Sequence, residues 1–221
     1  DRGNGQPTSQ FWVLDPVDGT KGFLRRDQFA IALAWIEFGV VELGGIACPN
    51  LDLRGEGSPG TIFVARRGQG SWACNVDKIS EIQPIRVSSI LDPTMARVLR
   101  SVESAHTNED QFERVIHQLQ VEAPPVFMDS QAKYGMLATG KAEILLRLLP
   151  SSSPDYREKI WDQAAGAIVL EEAGGRITDL FGNKLDFSQG ITLERNRGVL
   201  ASNGCMHETV LETLREQGFK N

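Results

Sequence analysis

Two short segments, far apart in the sequence, carry the residue types of a metal-dependent reaction. The hexapeptide DPVDGT at residues 15–20 follows an apolar run at residues 11–14, and WDQAAG occupies residues 161–166. Between them they offer three carboxylates, Asp15, Asp18 and Asp162, that folding could bring to one point. Hard cations such as Mg²⁺ prefer oxygen ligands of this kind. The two segments therefore predict a magnesium site.

The residues of the first segment predict a turn of the chain that brings two carboxylates together. Pro16 fixes φ and lacks an N–H group, so we expect the strand at residues 11–14 to stop there. Gly19 permits a tight turn after it. Asp15 and Asp18 can then face one concavity, where their mutual repulsion is best offset by a divalent cation.

Three further groups are candidates for the same site, and each segment has an ordinary structural alternative. The carbonyl oxygen of Val17 is a candidate ligand, and the Thr20 hydroxyl is a candidate for orienting a metal-bound water. Asp162 precedes a helix of small residues and would close the site. The alternatives are a simple hairpin turn at Asp18-Gly19 and an N-cap or first-turn role for Asp162. Two carboxylates at the end of an apolar strand are costly without a partner, which favours the metal.

Apolar patterns and turn residues predict the elements that position these motifs. Strands are expected at residues 11–14, 29–38, 40–48, 61–66, 71–74, 97–102, 143–148, 176–179 and 198–202. Helices are expected at residues 109–119, 130–139, 161–173 and 207–217. The fold class is then a layered α+β or α/β sandwich. We expect a mainly antiparallel sheet domain over residues 1–92 and an α/β domain over residues 93–221.

Composition excludes several classes of partner. The 221 residues are 41% hydrophobic with a net charge of −6, and no run of Lys or Arg stands out, which argues against nucleic acid and anionic membranes. No apolar run approaches the roughly 20 residues that span a bilayer. Cys48, Cys74 and Cys205 show no metal or disulfide spacing, so we expect free thiols in a reducing cytoplasm or organelle lumen or stroma, and no secretion.

The pair of motifs resembles the signature of the inositol monophosphatase superfamily, which comprises Mg²⁺-dependent, lithium-sensitive phosphomonoesterases. The resemblance runs from residue 11 to about residue 205. The segments SVESAH (101–106), DSQAKY (129–134) and YREKIWD (156–162), together with Arg147, resemble the 3′(2′),5′-bisphosphate nucleotidases within it. Such enzymes remove the 3′-phosphate from adenosine 3′,5′-bisphosphate, a by-product of sulfation. They also accept the 3′-phospho sulfate donor and some inositol polyphosphates.

The resemblance implies a role for each matching position. Two or three Mg²⁺ ions would be bound by the side chains of Asp15, Asp18 and Asp162 and by the carbonyl of Val17. Asp18 and Thr20 would be catalytic, with Thr20 helping to activate the attacking water. The substrate would be held by Thr20, His106, Ser130, Lys133, Arg147, Lys159 and Asp162. Water would attack phosphorus in line, without a phosphoenzyme.

The residues themselves are consistent with these roles, and again have alternatives. Lys133 falls one helical turn after Ser130, so both can face one ligand. Arg147 suits bidentate binding of phosphate, and an unpaired guanidinium in an apolar strand would be costly. The alternatives are a surface or capping role for His106, an N-cap role for Ser130 and a solvated charge for Lys133.

The resemblance also implies an upstream region, carrying a metal-ligating Glu and an Asp that partners the Thr. Asp15 lies close to the first residue here, so we expect either a fragment of a complete enzyme or a truncated paralogue. We expect weak or absent turnover from these 221 residues alone. We also expect an exposed apolar face on residues 29–48, which would favour association.

Three functions follow from these observations. The first is a phosphatase for adenosine 3′,5′-bisphosphate, a small phosphorylated nucleotide, acting as a monomer or homodimer. The second is an inositol (poly)phosphate 1-phosphatase. The third is a catalytically impaired protein that binds nucleotide. A purely structural protein fits poorly, because it gives no reason for carboxylates at both a strand end and a helix start.

Overall fold

The structure is a computed structural model that describes residues 9–102, 108–149, 153 and 155–219. Five helices and eleven strands are defined within these residues. The strands are β1 (Gln10–Asp18), β2 (Ala30–Glu37), β3 (Val40–Cys48), β4 (Thr61–Arg66), β5 (Gly70–Asn75), β6 (Gln83–Pro84), β7 (Val98–Arg100), β8 (Val126–Phe127), β9 (Ile144–Arg147), β10 (Arg176–Thr178) and β11 (Val199–Ser202). The helices are α1 (Thr20–Arg25), α2 (Glu109–Gln118), α3 (Ala132–Ala138), α4 (Ala164–Glu172) and α5 (His207–Glu216).

The first sheet is an antiparallel meander in which β1 to β6 lie side by side in chain order. Phe38 and Gly39 join β2 to β3 with φ values of 49° and 78°, the left-handed pair that a two-residue hairpin turn requires. Alternate residues of β2 face the core: Ala30, Ala32, Ala34 and Ile36 are buried. One face of this sheet is therefore packed against the rest of the protein.

The second sheet has the order β10-β11-β9-β7-β8. The strands β10, β11 and β9 are antiparallel, and β7 runs parallel to both β8 and β9. The two sheets and their helices form the layered α+β sandwich that the sequence predicts.

The helices occupy two layers. Helices α3 and α4 pack on the buried face of the first sheet, and α5 packs on β11 beside α2. The alternation along β9 assigns its residues to these layers, because Leu145 belongs to the core of α3 and α4, whereas Ile144 and Leu146 belong to the core of α2 and α5. Arg147 is in phase with Leu145, which directs it toward the layer of α3 and α4.

Small residues let α4 approach its neighbours closely, as expected from its sequence. A Cβ atom on Gly166 would lie 2.1 Å from Cδ2 of Tyr134 in α3, and one on Gly44 would lie 2.4 Å from Cγ2 of Ile168. Any larger side chain at either position would push helix and neighbour apart. The helix that follows Asp162 is thus locked between α3 and the first sheet.

Three local predictions were wrong. Strand β1 does not stop at Pro16 but continues to Asp18, with a register shift between Asp15 and Asp18. The apolar run at residues 11–14 is only partly buried, because Trp12 and Leu14 are each 53% exposed. Pro16 is tolerated because β1 pairs only with β2 among the described strands, and a bulge takes up the missing hydrogen bond.

Helix α4 begins three residues later than predicted. A turn of 3₁₀ helix covers Ile160–Asp162, and the N-cap position is Gln163 rather than Asp162. The N-cap alternative for Asp162 is therefore wrong. On residues 29–48 the expected apolar face is present, since Leu33 and Leu43 are exposed. In the described part of the chain, no helix is both long and apolar enough to cross a membrane.

Candidate active site

The bulge near the end of β1 shapes the first motif. Asp15 lies opposite Ala32 and Asp18 lies opposite Ala30, so two residues of β1 face the single residue Ile31 of β2. The backbone N–H of Val17 donates to Oδ1 of Asp15 at 3.1 Å. The bulge thus places Asp15 and Asp18 at one end of the strand without a sharp turn at the proline.

Gly19 then redirects the chain into α1. Its φ of 80° is left-handed, and a Cβ atom there would lie 2.9 Å from Cβ of Ser130. Just beyond it, the hydroxyl of Thr20 donates to the carbonyl oxygen of Val17 at 3.2 Å. The candidate carbonyl ligand and the candidate water-orienting hydroxyl are therefore neighbours, beside the segment that carries Ser130.

Asp18 and Asp162 are joined through Gln131. Oδ2 of Asp18 accepts the backbone N–H of Gln131 at 2.5 Å. The buried Gln131 side chain donates to the carbonyl of Trp161 at 2.9 Å and accepts the N–H of Gly166 at 3.0 Å. One residue therefore ties the first motif to the second.

The three predicted metal-binding carboxyls influence each other's ionisation. Burial raises the pKa of Asp162 to about 7, and the charges of Asp18, Glu158 and Asp15 act in the same direction, while Arg147 opposes them. Burial and the charge of Asp15 raise the pKa of Asp18. Burial also raises the pKa of Asp15, whose carboxyl contacts that of Asp162.

This arrangement fits a divalent cation. Within the residues that the structure describes, no group of three or more His, Cys, Asp or Glu side chains is placed so that it could hold a metal ion as it stands. Burial nevertheless disfavours the charge of Asp15, Asp18 and Asp162, the charge of Asp15 adds to this at Asp18, and the charges of Asp15 and Asp18 add to it at Asp162; a cation reverses these effects. Carboxylates and a carbonyl are also the ligands that Mg²⁺ prefers.

Lys133 brings a positive charge to the same place from α3. Its Nζ donates to the hydroxyl of Ser101 at 2.9 Å, and its side chain is buried. Burial and the nearby Arg147 lower the pKa of Lys133 to about 8, with Asp18 and Asp129 acting against the shift. Lys133 is thus a buried cation rather than a solvated one.

Arg147 enters from β9 and is paired with Glu158. Its Nε and one η nitrogen lie 3.1 Å and 3.0 Å from the two carboxylate oxygens. Burial alone would lower the pKa of Arg147, but Glu158 together with Tyr134 and Asp162 more than offsets it, so the pKa lies above its ordinary value. The guanidinium charge that the sequence predicts at this position is therefore secured by a carboxylate.

Asp129 and Ser130, the residues just before α3, bind neighbouring backbone and side-chain groups. Ser130 has a left-handed φ of 66°, and its Oγ accepts the N–H of Ala132 at 3.2 Å. Asp129 is buried, binds the guanidinium of Arg25 and accepts the N–H of Val102 at 3.2 Å. The hydroxyl of Ser130 therefore supports the start of α3 within the site.

A pocket of about 280 Å³ collects most of the predicted residues. Its described lining comprises Asp18, Gly19, Thr20, Lys21, Gly22, Ser101, Asp129, Ser130, Gln131, Lys133, Tyr134, Leu145, Arg147, Tyr156 and Asp162. Asp15, Val17 and Lys159 are not among them; Lys159 forms an isolated β-bridge with Thr192. His106 lies outside the described residues. The binding roles of Lys159 and His106 remain predictions.

A larger pocket, of about 380 Å³, lies elsewhere along β4 and β5. It is lined by charges of both signs, including Asp52, Arg54 and Lys141, and contains none of the predicted site residues. The smaller pocket is therefore the better candidate for the reaction.

Sequence reasoning assigned no role to Gln131, Glu158, Gln163 or Asp129. Each is a polar side chain that the structure buries among hydrogen-bond partners. Three of them lie inside the segments 129–134 and 156–162 that carry the subfamily resemblance, which is the one signal that pointed to them.

The layered sandwich, with carboxylates and cations around one pocket, is a fold of the inositol monophosphatase type. The chain belongs to the inositol monophosphatase family, whose model matches residues 2–218. Enzymes of this family are generally metal-dependent.

Two curated relatives share one name, which denotes a particular enzyme. The chain is 45% identical to a protein of Oryza sativa named 3′(2′),5′-bisphosphate nucleotidase, over 97% of this chain and 62% of that protein. It is 38% identical to a protein of the same name from Dictyostelium discoideum, over 98% of this chain and 66% of that one. The chain thus spans less than two thirds of the length of these relatives.

Solved structures share the fold. An IMPase from Thermotoga maritima has a TM-score of 0.73 and 22% identity, with 96% of this chain and 70% of that one covered. An inositol monophosphatase from Anabaena has the same TM-score and 21% identity, with 96% and 74% covered.

Proposed function

We propose that the protein is a Mg²⁺-dependent phosphomonoesterase that hydrolyses the 3′-phosphate of adenosine 3′,5′-bisphosphate to give AMP and inorganic phosphate. The observation that carries this proposal is the pocket in which Asp18 and Asp162 face Lys133 and Arg147. Carboxylates suit a metal, and the cations suit a phosphorylated ligand. The names of the curated relatives support the nucleotide as substrate.

The metal would be held by Asp15, Asp18 and Asp162 and by the carbonyl of Val17, with two or three ions in the site. When bound, Mg²⁺ supplies positive charge that offsets the repulsion between these carboxylates and the phosphate. The raised pKa values of all three carboxyls support this assignment.

The chain's own groups would orient the reactants. Because the Thr20 hydroxyl donates its proton to Val17, its oxygen is free to accept a hydrogen bond from the attacking water. Asp18, which only Gly19 separates from Thr20, is the second catalytic group. The water oxygen bonds to phosphorus as the bond to the 3′-oxygen breaks; one proton of the water ends on that oxygen, which leaves as the 3′-hydroxyl of AMP, and the other stays with the inorganic phosphate.

On the other side of the pocket, Lys133 and Arg147 would bind the phosphate oxygens, with Ser130 as a hydroxyl donor. Asp162 would contact both metal and substrate. His106 and Lys159 are proposed as further contacts to the nucleotide on the resemblance alone. Free thiols at all three cysteines suit a reducing cytoplasm or organelle. We expect a monomer or homodimer.

A panel of substrates tests the proposal. Phosphate release is measured with Mg²⁺ from adenosine 3′,5′-bisphosphate, inositol 1,4-bisphosphate and inositol 1-phosphate. We expect weak turnover from these 221 residues, with the nucleotide giving the highest kcat/KM and chelation of the metal abolishing release. Preference for inositol 1,4-bisphosphate would establish the alternative function. Nucleotide binding by calorimetry without phosphate release at any Mg²⁺ concentration would establish the impaired binding protein.

A further inference from the structure

Arg147 and Glu158 form a forked ion pair at the wall of the pocket. Nε of Arg147 lies 3.1 Å from Oε1 of Glu158, and an η nitrogen lies 3.0 Å from Oε2. The Glu158 side chain is only 4% exposed, whereas that of Arg147 is 27% exposed and lines the pocket. Two parallel hydrogen bonds define the plane of a guanidinium, which one bond would not do.

Glu158 is itself held in place from the interior. Oε2 of Glu158 also accepts the side-chain amide of Gln163 at 2.9 Å, and the amide oxygen of Gln163 accepts the hydroxyl of Tyr134. The backbone carbonyl of Glu158 accepts the N–H of Leu193 at 2.9 Å. The carboxylate therefore has a single orientation, set by α3, α4 and the segment before β11.

The fork leaves a defined part of Arg147 for a ligand. Nε and one η nitrogen are engaged by Glu158, and no protein group in the described part of the chain accepts from the other η nitrogen. A freed Arg147 would have a different partner close by, because its charge already acts on Asp162.

We propose that Glu158 is a positioning residue for the reaction, an inference that rests on the proposed function. It fixes the direction in which Arg147 presents its remaining N–H groups to the substrate phosphate. The Gln163 and Tyr134 side chains support it from behind. Glu158 touches no substrate itself; its effect reaches the ligand through Arg147.

The matched control is Glu143, a second buried glutamate that forks onto an arginine. Its Oε2 lies 3.1 Å from Nε of Arg97, and its Oε1 lies 2.6 Å from an η nitrogen, but neither residue lines the pocket. Glu158→Gln and Glu143→Gln therefore remove the same charge from the same geometry. Only the first change disturbs an arginine that faces the substrate.

We expect both variants to melt at lower temperature, because each weakens the pairing between an arginine and a buried side chain. We expect Glu158→Gln alone to raise the KM for adenosine 3′,5′-bisphosphate, by roughly 10- to 100-fold, with a much smaller change in kcat. Glu158→Asp keeps the charge with a shorter reach, and should raise KM less; it replaces the Gln variant if that one does not fold. Equal KM values for Glu158 and Glu143 variants would overturn the proposal.

A binding measurement separates this inference from the proposed function. If the unmodified protein does not hydrolyse the nucleotide, the proposed function fails. Calorimetry with inorganic phosphate and Mg²⁺ then tests Glu158 independently. Weaker phosphate binding by Glu158→Gln than by Glu143→Gln supports positioning, and equal affinity refutes it.

Discussion

The two sides of the site are compensated differently. On the acidic side, Asp15 and Asp18 each accept one backbone N–H, no such donor reaches the Asp162 carboxylate from the described residues, and the pKa values of all three are raised. On the basic side, Arg147 has a carboxylate in direct contact, which secures its charge. We infer that the acidic side needs a bound cation to offset its negative charge. The positive charge of the basic side is already stabilised within the protein, so that side can bind an anion directly.

The strongest test of this difference is Asp18→Asn. Since the amide oxygen can still accept the N–H of Gln131, the fold should survive while a metal ligand is lost. We expect kcat/KM to fall by at least about 1,000-fold, which corresponds to about 4 kcal/mol. We also expect the melting temperature in chelator to be unchanged or higher, because repulsion is relieved, and its rise on adding Mg²⁺ to be lost.

Asp77→Asn is the control for that experiment. Asp77 is exposed in the turn after β5, so its variant should keep both activity and the stabilisation by Mg²⁺. An Asp18 variant that still gained the full Mg²⁺-dependent rise would contradict the assignment of the acidic side.

On the basic side, Lys133→Met should weaken substrate binding. Burial lowers the pKa of Lys133 to about 8, so its charge is present at neutral pH and is lost as pH rises through that value. We expect the unmodified protein to show a KM that climbs between pH 7 and 9. The variant should show a KM about 10- to 100-fold higher at pH 7, and nearly independent of pH over that interval. A pH dependence retained in full by the variant would assign the titration to another group.

Within the acidic side, Gln131 links the segment of Asp18 to the segment of Asp162. Gln131→Leu leaves the carbonyl of Trp161 and the N–H of Gly166 buried without their partner. We expect the free energy of unfolding to fall by about 2–3 kcal/mol. We also expect kcat to fall about tenfold, because Asp162 is no longer held against Asp18. Urea unfolding and initial rates measure the two effects. A loss of stability with unchanged kcat would show that Gln131 does not set the spacing of the carboxylates.

A buried histidine outside the pocket separates stability from activity. Nε2 and Nδ1 of His207 each lie 2.9 Å from a hydroxyl, of Thr178 and Ser202 respectively. Burial, aided by Arg176, lowers the pKa of His207 from 6.5 to about 4. Between these pH values, His207 is therefore protonated in the unfolded chain but not in the folded protein.

Stability linked to His207 is complete above about pH 6.5, and as the pH falls to 4 the protein should lose about 3 kcal/mol. His207→Gln should flatten this part of the curve of unfolding free energy against pH without changing KM. His117→Gln, at an exposed site on α2, should leave the slope as it is. A slope unaffected by His207→Gln would assign the acid sensitivity to other groups.

Local chemistry in the sequence predicts much of the fold. Strand β4 lies at residues 61–66 as expected, and the Phe38-Gly39 hairpin follows from two apolar runs separated by a glycine. Helix α2 begins at Glu109, where Asn108 caps it by accepting the N–H of Gln111. These features depend on residues a few positions apart, so a linear pattern is enough to predict them.

The path of β1 through Pro16 shows where local reasoning fails. A proline ends a strand only if its missing N–H group was needed, and β1 pairs on one side alone among the described strands. Position in the sheet, which the sequence does not state, decided the outcome. The late start of α4 at Ala164 is a second failure of local reasoning, because a 3₁₀ turn at Ile160–Asp162 takes the place of the first residues of the predicted helix.

The sequence by itself determined which oxygen donors and cations the protein has, how they are spaced along the chain and which family they resemble. Only the tertiary structure decided their partners: Gln131 for Asp18, Ser101 for Lys133 and Glu158 for Arg147. Asp18 and Gln131 are 113 residues apart. Contacts of that kind arise from the packing of α3 and α4 on the first sheet, and burial then makes each partner matter, since a charge shielded from water depends on its nearest neighbour.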